Sequence, residues 1–283
     1  MARKRVPFEY RDKMSWPRTL MLVGVACLLS YCIIAGYRQV ASASEPRLLT
    51  DIPSASQLLE VDGPECSTIV PYANFTVNFN SRLHIPNWVA WELTRDETHG
   101  TEERSRFQTD TDVAGCPSTR DYTGSGYDRG HMAPAADMKW SAEAMRQCFY
   151  MTNICPQSHL LNGGTWKKLE EKCRLWAQAD SAILIVCGPV LNPEPDEFIG
   201  DSQVAVPKGF FKVILSPFVN PPRAIGFLMT NGKVKGGLQA AAVSVDSVES
   251  VTGLDFFSAL PDSLEAAIES ECRFHYWSTI KPQ

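Results

Sequence analysis

Gly126-Tyr127-Asp128-Arg129-Gly130-His131-Met132-Ala133-Pro134-Ala135-Ala136-Asp137 is the stretch on which the reading of this chain turns. It sets one histidine between Gly130, which lets two backbones approach closely, and Pro134, which restricts the residue before it. The composition predicts an Asp-Arg-Gly turn leading into His131. One histidine among five is more often structural than catalytic, so its surroundings decide. An imidazole with an ordinary pKa of about 6.5 can take a proton from water near neutral pH, which makes His131 the candidate general base.

Downstream lie Met151-Thr152-Asn153-Ile154-Cys155-Pro156-Gln157 and Leu161-Asn162-Gly163-Gly164-Thr165-Trp166-Lys167-Lys168-Leu169-Glu170. Leu161 to Asp180 carries apolar residues at helical spacing. On a regular helix, at about 100° per residue, Asn162 and Glu170 fall within roughly 80° of each other. An amide oxygen and a carboxylate on one side suit a hard, oxygen-seeking cation. The residues alone also allow Asn162 as a helix cap, Glu170 as a solvated charge and Asn153 as a turn residue before Pro156.

Around these clusters the apolar pattern predicts strands. Phe75–Phe79 and Trp88–Leu93 read as an early hairpin, with Ala182–Cys187, Phe210–Leu215 and Arg223–Met229 as further strands. Thr94 to Tyr127 reads as polar loop, Ser141 to Cys148 as a short helical or coil element, and Val245–Gly253 with Ser263–Ser270 as a terminal strand or helix pair. Strands, one good helix, then strands and short elements predict an α+β domain.

DRGHMAPAAD followed by TNICPQ and LNGGTWKKLEE resembles the DNA/RNA nonspecific endonucleases of the ββα-metal (His-Me finger) class. GYDRGH, GPV and VPKGFFKV extend the resemblance from about Tyr72 to Gly253. It implies a ββα-metal core on a central antiparallel sheet flanked by helices. It also implies a Mg²⁺-dependent endonuclease that cuts DNA and RNA to 5′-phosphate and 3′-hydroxyl ends, and leaves open whether Mn²⁺ substitutes. Carried over by motif, His131 resembles the general base and Asn162 the direct metal ligand. Glu170 resembles the carboxylate that holds the metal's water shell, and Asn153 the amide that supports the network. An upstream arginine is expected on the phosphate. Arg104 is the first choice and Arg106 the second, both in ERSRFQTD. Arg120, Arg129, Lys139, Lys167 and Lys168 are candidates for a basic rim, and Arg129 alternatively for a buried ion pair holding the turn. The resemblance leaves a homodimer open.

Bulk properties limit these readings without deciding them. The 283 residues carry a net charge of -5 and a 44% hydrophobic fraction, so the chain can bury a core but offers polyanions no general attraction. Residues 1–43 hold seven basic and two acidic residues, leaving the remainder near -10. A nuclease built this way must concentrate positive potential in one cleft.

Leu20–Tyr37 is an uncharged apolar run behind that basic flank, read as a membrane anchor or a cleaved signal. The domain plan is therefore a basic arm 1–19, the apolar segment 20–37, a linker 38–71 and the endonuclease domain 72–283. Export to a periplasmic or extracellular location follows, with a mitochondrial presequence as the alternative that Glu9 and Asp12 suit poorly. Of the nine cysteines, seven lie beyond the apolar segment, which predicts up to three disulfides and one free thiol. Two other classes remain: a nucleic-acid-binding protein of the same fold that does not cut, and a cysteine hydrolase in which His131 serves Cys148 or Cys155.

Overall fold

Strand propensity and alternation build the frame in the computed structural model, which describes residues 52–61, 67–191 and 194–280. The arm, the apolar segment Leu20–Tyr37 and Cys27, Cys32 and Cys66 lie outside the described residues. In chain order the elements begin with α1 (Ala55–Leu58), β1 (Thr68–Pro71), β2 (Thr76–Asn80) and β3 (Ile85–Thr94). After the long loop come β4 (Asp128–His131), α2 (Ala142–Cys148), β5 (Ile154–Gln157), α3 (Lys167–Asp180) and β6 (Ala182–Val190). Then follow β7 (Phe198–Ile199), β8 (Val204–Ala205), β9 (Gly209–Ser216), β10 (Arg223–Thr230), α4 (Gly237–Ala241) and β11 (Ala242–Val243). The chain closes with α5 (Val245–Thr252), α6 (Asp262–Glu269) and α7 (Phe274–Thr279). Two elements, α1 and β1, precede Tyr72.

The main sheet has seven strands in the order β1-β2-β3-β6-β9-β10-β11, every neighbour antiparallel. Successive side chains of a strand point to opposite faces, and this sheet uses both. On β9, Phe210 and Ile214 join one core while Phe211, Val213 and Leu215 join the other. Helix α3 packs Leu169, Cys173, Trp176 and Ala177 into the first core, and α5 and α6 place Val245, Val248 and Ile268 in the second. The result is the α+β arrangement predicted, a central antiparallel sheet flanked by helices.

The expected hairpin of β2 and β3 forms, and Ser141 caps α2 by accepting from the Ala144 N–H. The terminal pair is helical. Two expectations are corrected. The Asp-Arg-Gly turn is instead a strand, since Asp128 to His131 pair antiparallel with Gln157 to Ile154. The disulfides are absent among the described residues: Cys116, Cys148, Cys155, Cys173, Cys187 and Cys272 are all free. Four of these six are buried among apolar side chains, where a thiol behaves as a small hydrophobe. Among the described residues no helix is long and apolar enough to cross a membrane.

Candidate active site

The short pair β4–β5 followed by α3 forms a ββα unit against the first face of the main sheet. Gly130 is required at this junction, because a Cβ there would sit 2.2 Å from Gln157 Oε1 of the buried partner strand. That close approach brings His131 opposite Ile154 and hands the chain on to a tight loop. Asn153 holds that loop: its Oδ1 accepts from the Ala133 N–H, and its Nδ2 donates to the carbonyls of Ala133 and Cys148, each at 2.9 Å. Asn153 is fully buried and spends these bonds on backbone rather than on the cleft.

The His131 ring lies against Phe149 in an edge contact, centroids 4.7 Å apart, and against Phe107 at 5.2 Å. Its Nε2 is buried without a hydrogen-bond partner. Loss of water around the ring, reinforced by the positive charge of Arg104, pushes the His131 pKa down to about 3. The imidazole is therefore neutral throughout the physiological range, with one nitrogen unsatisfied.

Asn162 and Glu170 do not share one regular helix. Leu161–Trp166 is a wide π-type turn broken at Gly164, whose φ of -109° and ψ of -110° are not helical, and α3 starts only at Lys167. Consecutive glycines at 163 and 164 permit the break. Both side chains nevertheless line the same cleft as His131, a cavity of about 340 Å³. Asn162 Nδ2 donates to Asp128 Oδ2 at 2.9 Å, and His159 Nδ1 lies 2.9 Å from the same oxygen. Burial raises the Glu170 carboxyl to about 7, with the Lys212 ammonium the largest opposing influence. Lys212 is 1% exposed, projects from β9 and stands 4.5 Å from the Trp166 ring and 5.0 Å from the Trp91 ring.

The cationic side chains Arg104, Arg129, Lys139, Lys167 and Arg174 line the cleft. Arg104 reaches it with its guanidinium 5.4 Å from the Phe149 ring centre, whereas Arg106, Arg120 and Lys168 do not line it. Among the described residues Arg129 has no ion-pair partner; it donates to the Thr119 carbonyl at 2.7 Å and packs over Phe107 and Tyr122. Arg174 on α3 binds the buried Asp137 at 2.8 Å. Asp128, Asp137, Arg174 and Lys212 were not singled out as site residues. Asp128 sat inside the decisive motif, while nothing in the spacing tied Lys212 to Glu170.

Cys148 and Cys155 are fully buried, and burial pushes the Cys148 thiol up to about 12 and Cys155 well above its usual value. Neither lines the cleft. This arrangement does not supply the thiolate that a cysteine hydrolase needs.

A ββα unit presenting a histidine, an asparagine and a carboxylate to one cleft on an antiparallel sheet is the layout of the ββα-metal nuclease class. The chain belongs to the DNA/RNA non-specific endonuclease family, whose model matches residues 55–263. It is 35% identical over 211 residues to the mitochondrial nuclease EXOG of Mus musculus, covering 68% of this chain and 57% of that protein. With the mitochondrial nuclease EXOG of Xenopus laevis it shares 34% identity over 266 residues, 86% of this chain and 74% of the relative. The chain thus spans little more than half of the mouse protein. A chain of the solved EndoG/EndoGI complex superposes with a TM-score of 0.66 at 26% identity, covering 75% of this chain and 95% of that one. These relatives overturn the expectation of an exported protein, since the mouse and frog proteins are both named as mitochondrial.

Proposed function

We propose that the cleft hydrolyses phosphodiester bonds of DNA and RNA without regard to sequence, leaving 5′-phosphate and 3′-hydroxyl ends, and that it does so with a divalent metal ion. The unpartnered Nε2 of neutral His131, in one cleft with Asn162, Glu170 and a set of cationic side chains, carries this reading. The donor set fits a hard cation. Because the Asn162 Nδ2 is engaged by Asp128, its Oδ1 is the atom left to act as a ligand, and Glu170 adds a carboxylate beside it. Mg²⁺ held there would neutralise phosphate charge and stabilise the departing 3′ oxygen; Mn²⁺ satisfies the same donors.

His131 accepts a proton from the attacking water. In the protein alone its basicity is low, and an arriving phosphate anion offsets the Arg104 charge that helps to hold it down. Arg104 balances charge on the phosphate, and Arg129, Lys139 and Lys167 receive the backbone of the strand. Asn153 fixes the loop that follows His131 and acts as a positioning residue. Contacts of this kind read charge and shape, so base identity matters little. The mitochondrial names of the mouse and frog relatives support the same compartment for this chain.

One observation favours a second reading, a nucleic-acid-binding protein of this fold that does not cut: a histidine held at about 3 is a weak base. Cleavage of supercoiled plasmid and structured RNA by the full chain separates the two, with Mg²⁺, with excess chelator, and with Asn162→Ala and His131→Ala. Cutting of both polymers that disappears with chelator and in both variants is the expected result. Retarded but intact substrates in every condition would establish the binding protein.

A further inference from the structure

A second group of carboxylates lies on the other face of the sheet from the cleft. Asp246 and Glu249 on α5 and Glu269 at the end of α6 each bring a carboxylate oxygen within 4.8 Å of the other two. None of the three lines the cleft. Their helices pack Val245, Val248 and Ile268 into the second core, whereas α3, which carries Glu170, packs into the first.

Glu269 is the telling member. It is 3% exposed, and its Oε1 is buried with no hydrogen-bond partner. A buried carboxylate without a donor is costly unless it meets a proton or a cation. Burial, then the charges of Glu249, Glu265, Asp246 and Asp255, raise the Glu269 carboxyl to about 9. No lysine or arginine occurs between Lys235 and Arg273, a stretch holding seven carboxylates, so no cation of that segment balances the group. Glu249 is oriented by the Phe256 N–H, which donates to its Oε1 at 2.9 Å. Asp246 is exposed and Glu249 half-buried, so solvent reaches the cluster on one side.

We propose that Asp246, Glu249 and Glu269 form a calcium site separate from the nuclease centre. The donors are all oxygen, which selects a hard cation. Oxygen atoms within 4.8 Å of one another can share one ion at about 2.4 Å, the Ca²⁺–oxygen distance. Water from the open side completes a shell that Ca²⁺ tolerates in irregular geometry. A bound ion would tie α5 to α6 across carboxylates that otherwise repel, beside the apolar packing of Val245, Val248 and Ile268.

The test is thermal unfolding of the full chain, stripped with chelator and titrated with Ca²⁺. The wild type, Asp246→Asn, Glu269→Gln and Asn162→Ala are compared. Wild type and Asn162→Ala should show the same saturable rise in melting temperature, as binding to the folded state requires. Asp246→Asn and Glu269→Gln should need roughly tenfold more Ca²⁺ for half of it. Asp246 is exposed, so its substitution leaves the fold intact even if Glu269→Gln does not. A Ca²⁺ response equal in Asp246→Asn and wild type, one lost only in Asn162→Ala, or none at all would overturn the site.

Discussion

Asn162 and Asp128 are joined by a 2.9 Å hydrogen bond from the Asn162 amide nitrogen to Oδ2 of Asp128, an oxygen that His159 also approaches at 2.9 Å. The bond crosses from the wide turn before α3 to the first residue of β4 and fixes which way the amide faces. Asp128→Ala should therefore leave the fold in place but free the amide to rotate. The Mg²⁺ concentration for half-maximal plasmid cleavage should rise on the order of 10-fold to 100-fold. An unchanged Mg²⁺ curve would show that the aspartate does not orient the ligand.

Glu170→Gln should separate stability from activity. The folded-state pKa of about 7 lies above the unfolded value of about 4.3, so folding binds a proton across that interval. Stability from this group is full below the unfolded value and is lost as pH rises through 7. A neutral glutamine avoids that loss. In chelator, melts at pH 8 should show the variant more stable than the wild type, with about 2–4 °C gained for each kcal/mol recovered. The difference should vanish near pH 4, and cleavage should fall at every pH. Equal melting temperatures at pH 8 would refute the shift.

Lys212→Met tests the same carboxylate from beneath. Lys212 is the main group holding the Glu170 pKa down, so its removal should raise that pKa further. The acid limb of the cleavage profile should move to higher pH. Methionine keeps most of the volume between Trp91 and Trp166. A limb that stays in place while only total activity drops would make Lys212 a packing residue.

The two candidate arginines should behave differently. Arg104 lines the cleft and Arg106 does not. Arg104→Ala should lower kcat/KM by about 10-fold or more, as expected for a lost charge-assisted contact to phosphate. Arg106→Ala should change it by less than about twofold. A larger loss at Arg106 would reverse the assignment.

The sequence displayed some of this plainly. Ala182–Val190 is a continuous apolar run and Gly209–Ser216 is apolar apart from Lys212 and the terminal Ser216, and their pairing at the middle of the sheet follows from burial on both faces. The histidine motif announces its chemistry, yet Asp128-Arg129-Gly130 reads as a turn because so few mixed residues have no period; the partner strand Ile154–Gln157 supplies the strand conformation. Asn162 and Glu170 were placed on one cleft by an ideal helix that Gly164 in fact breaks, and the cleft itself closes over the irregularity. Counting cysteines predicted cross-links, but the pairing of thiols depends on geometry that a count does not contain. Contacts between distant segments were the hardest to foresee, as with Arg174 on Asp137 and Lys212 under Glu170.

Lys212 also bears on how the sheet assembles. On β9 the ammonium sits at a position whose neighbours Phe211 and Val213 face the opposite core. Sliding this strand by one residue against β6 or β10 would exchange the two sets, pressing a charge into the apolar layer of Leu184 and Val186. An all-hydrophobic strand would have little to choose between such alignments. One buried cation thus proofreads the central pairing, making misalignment costly before any substrate arrives.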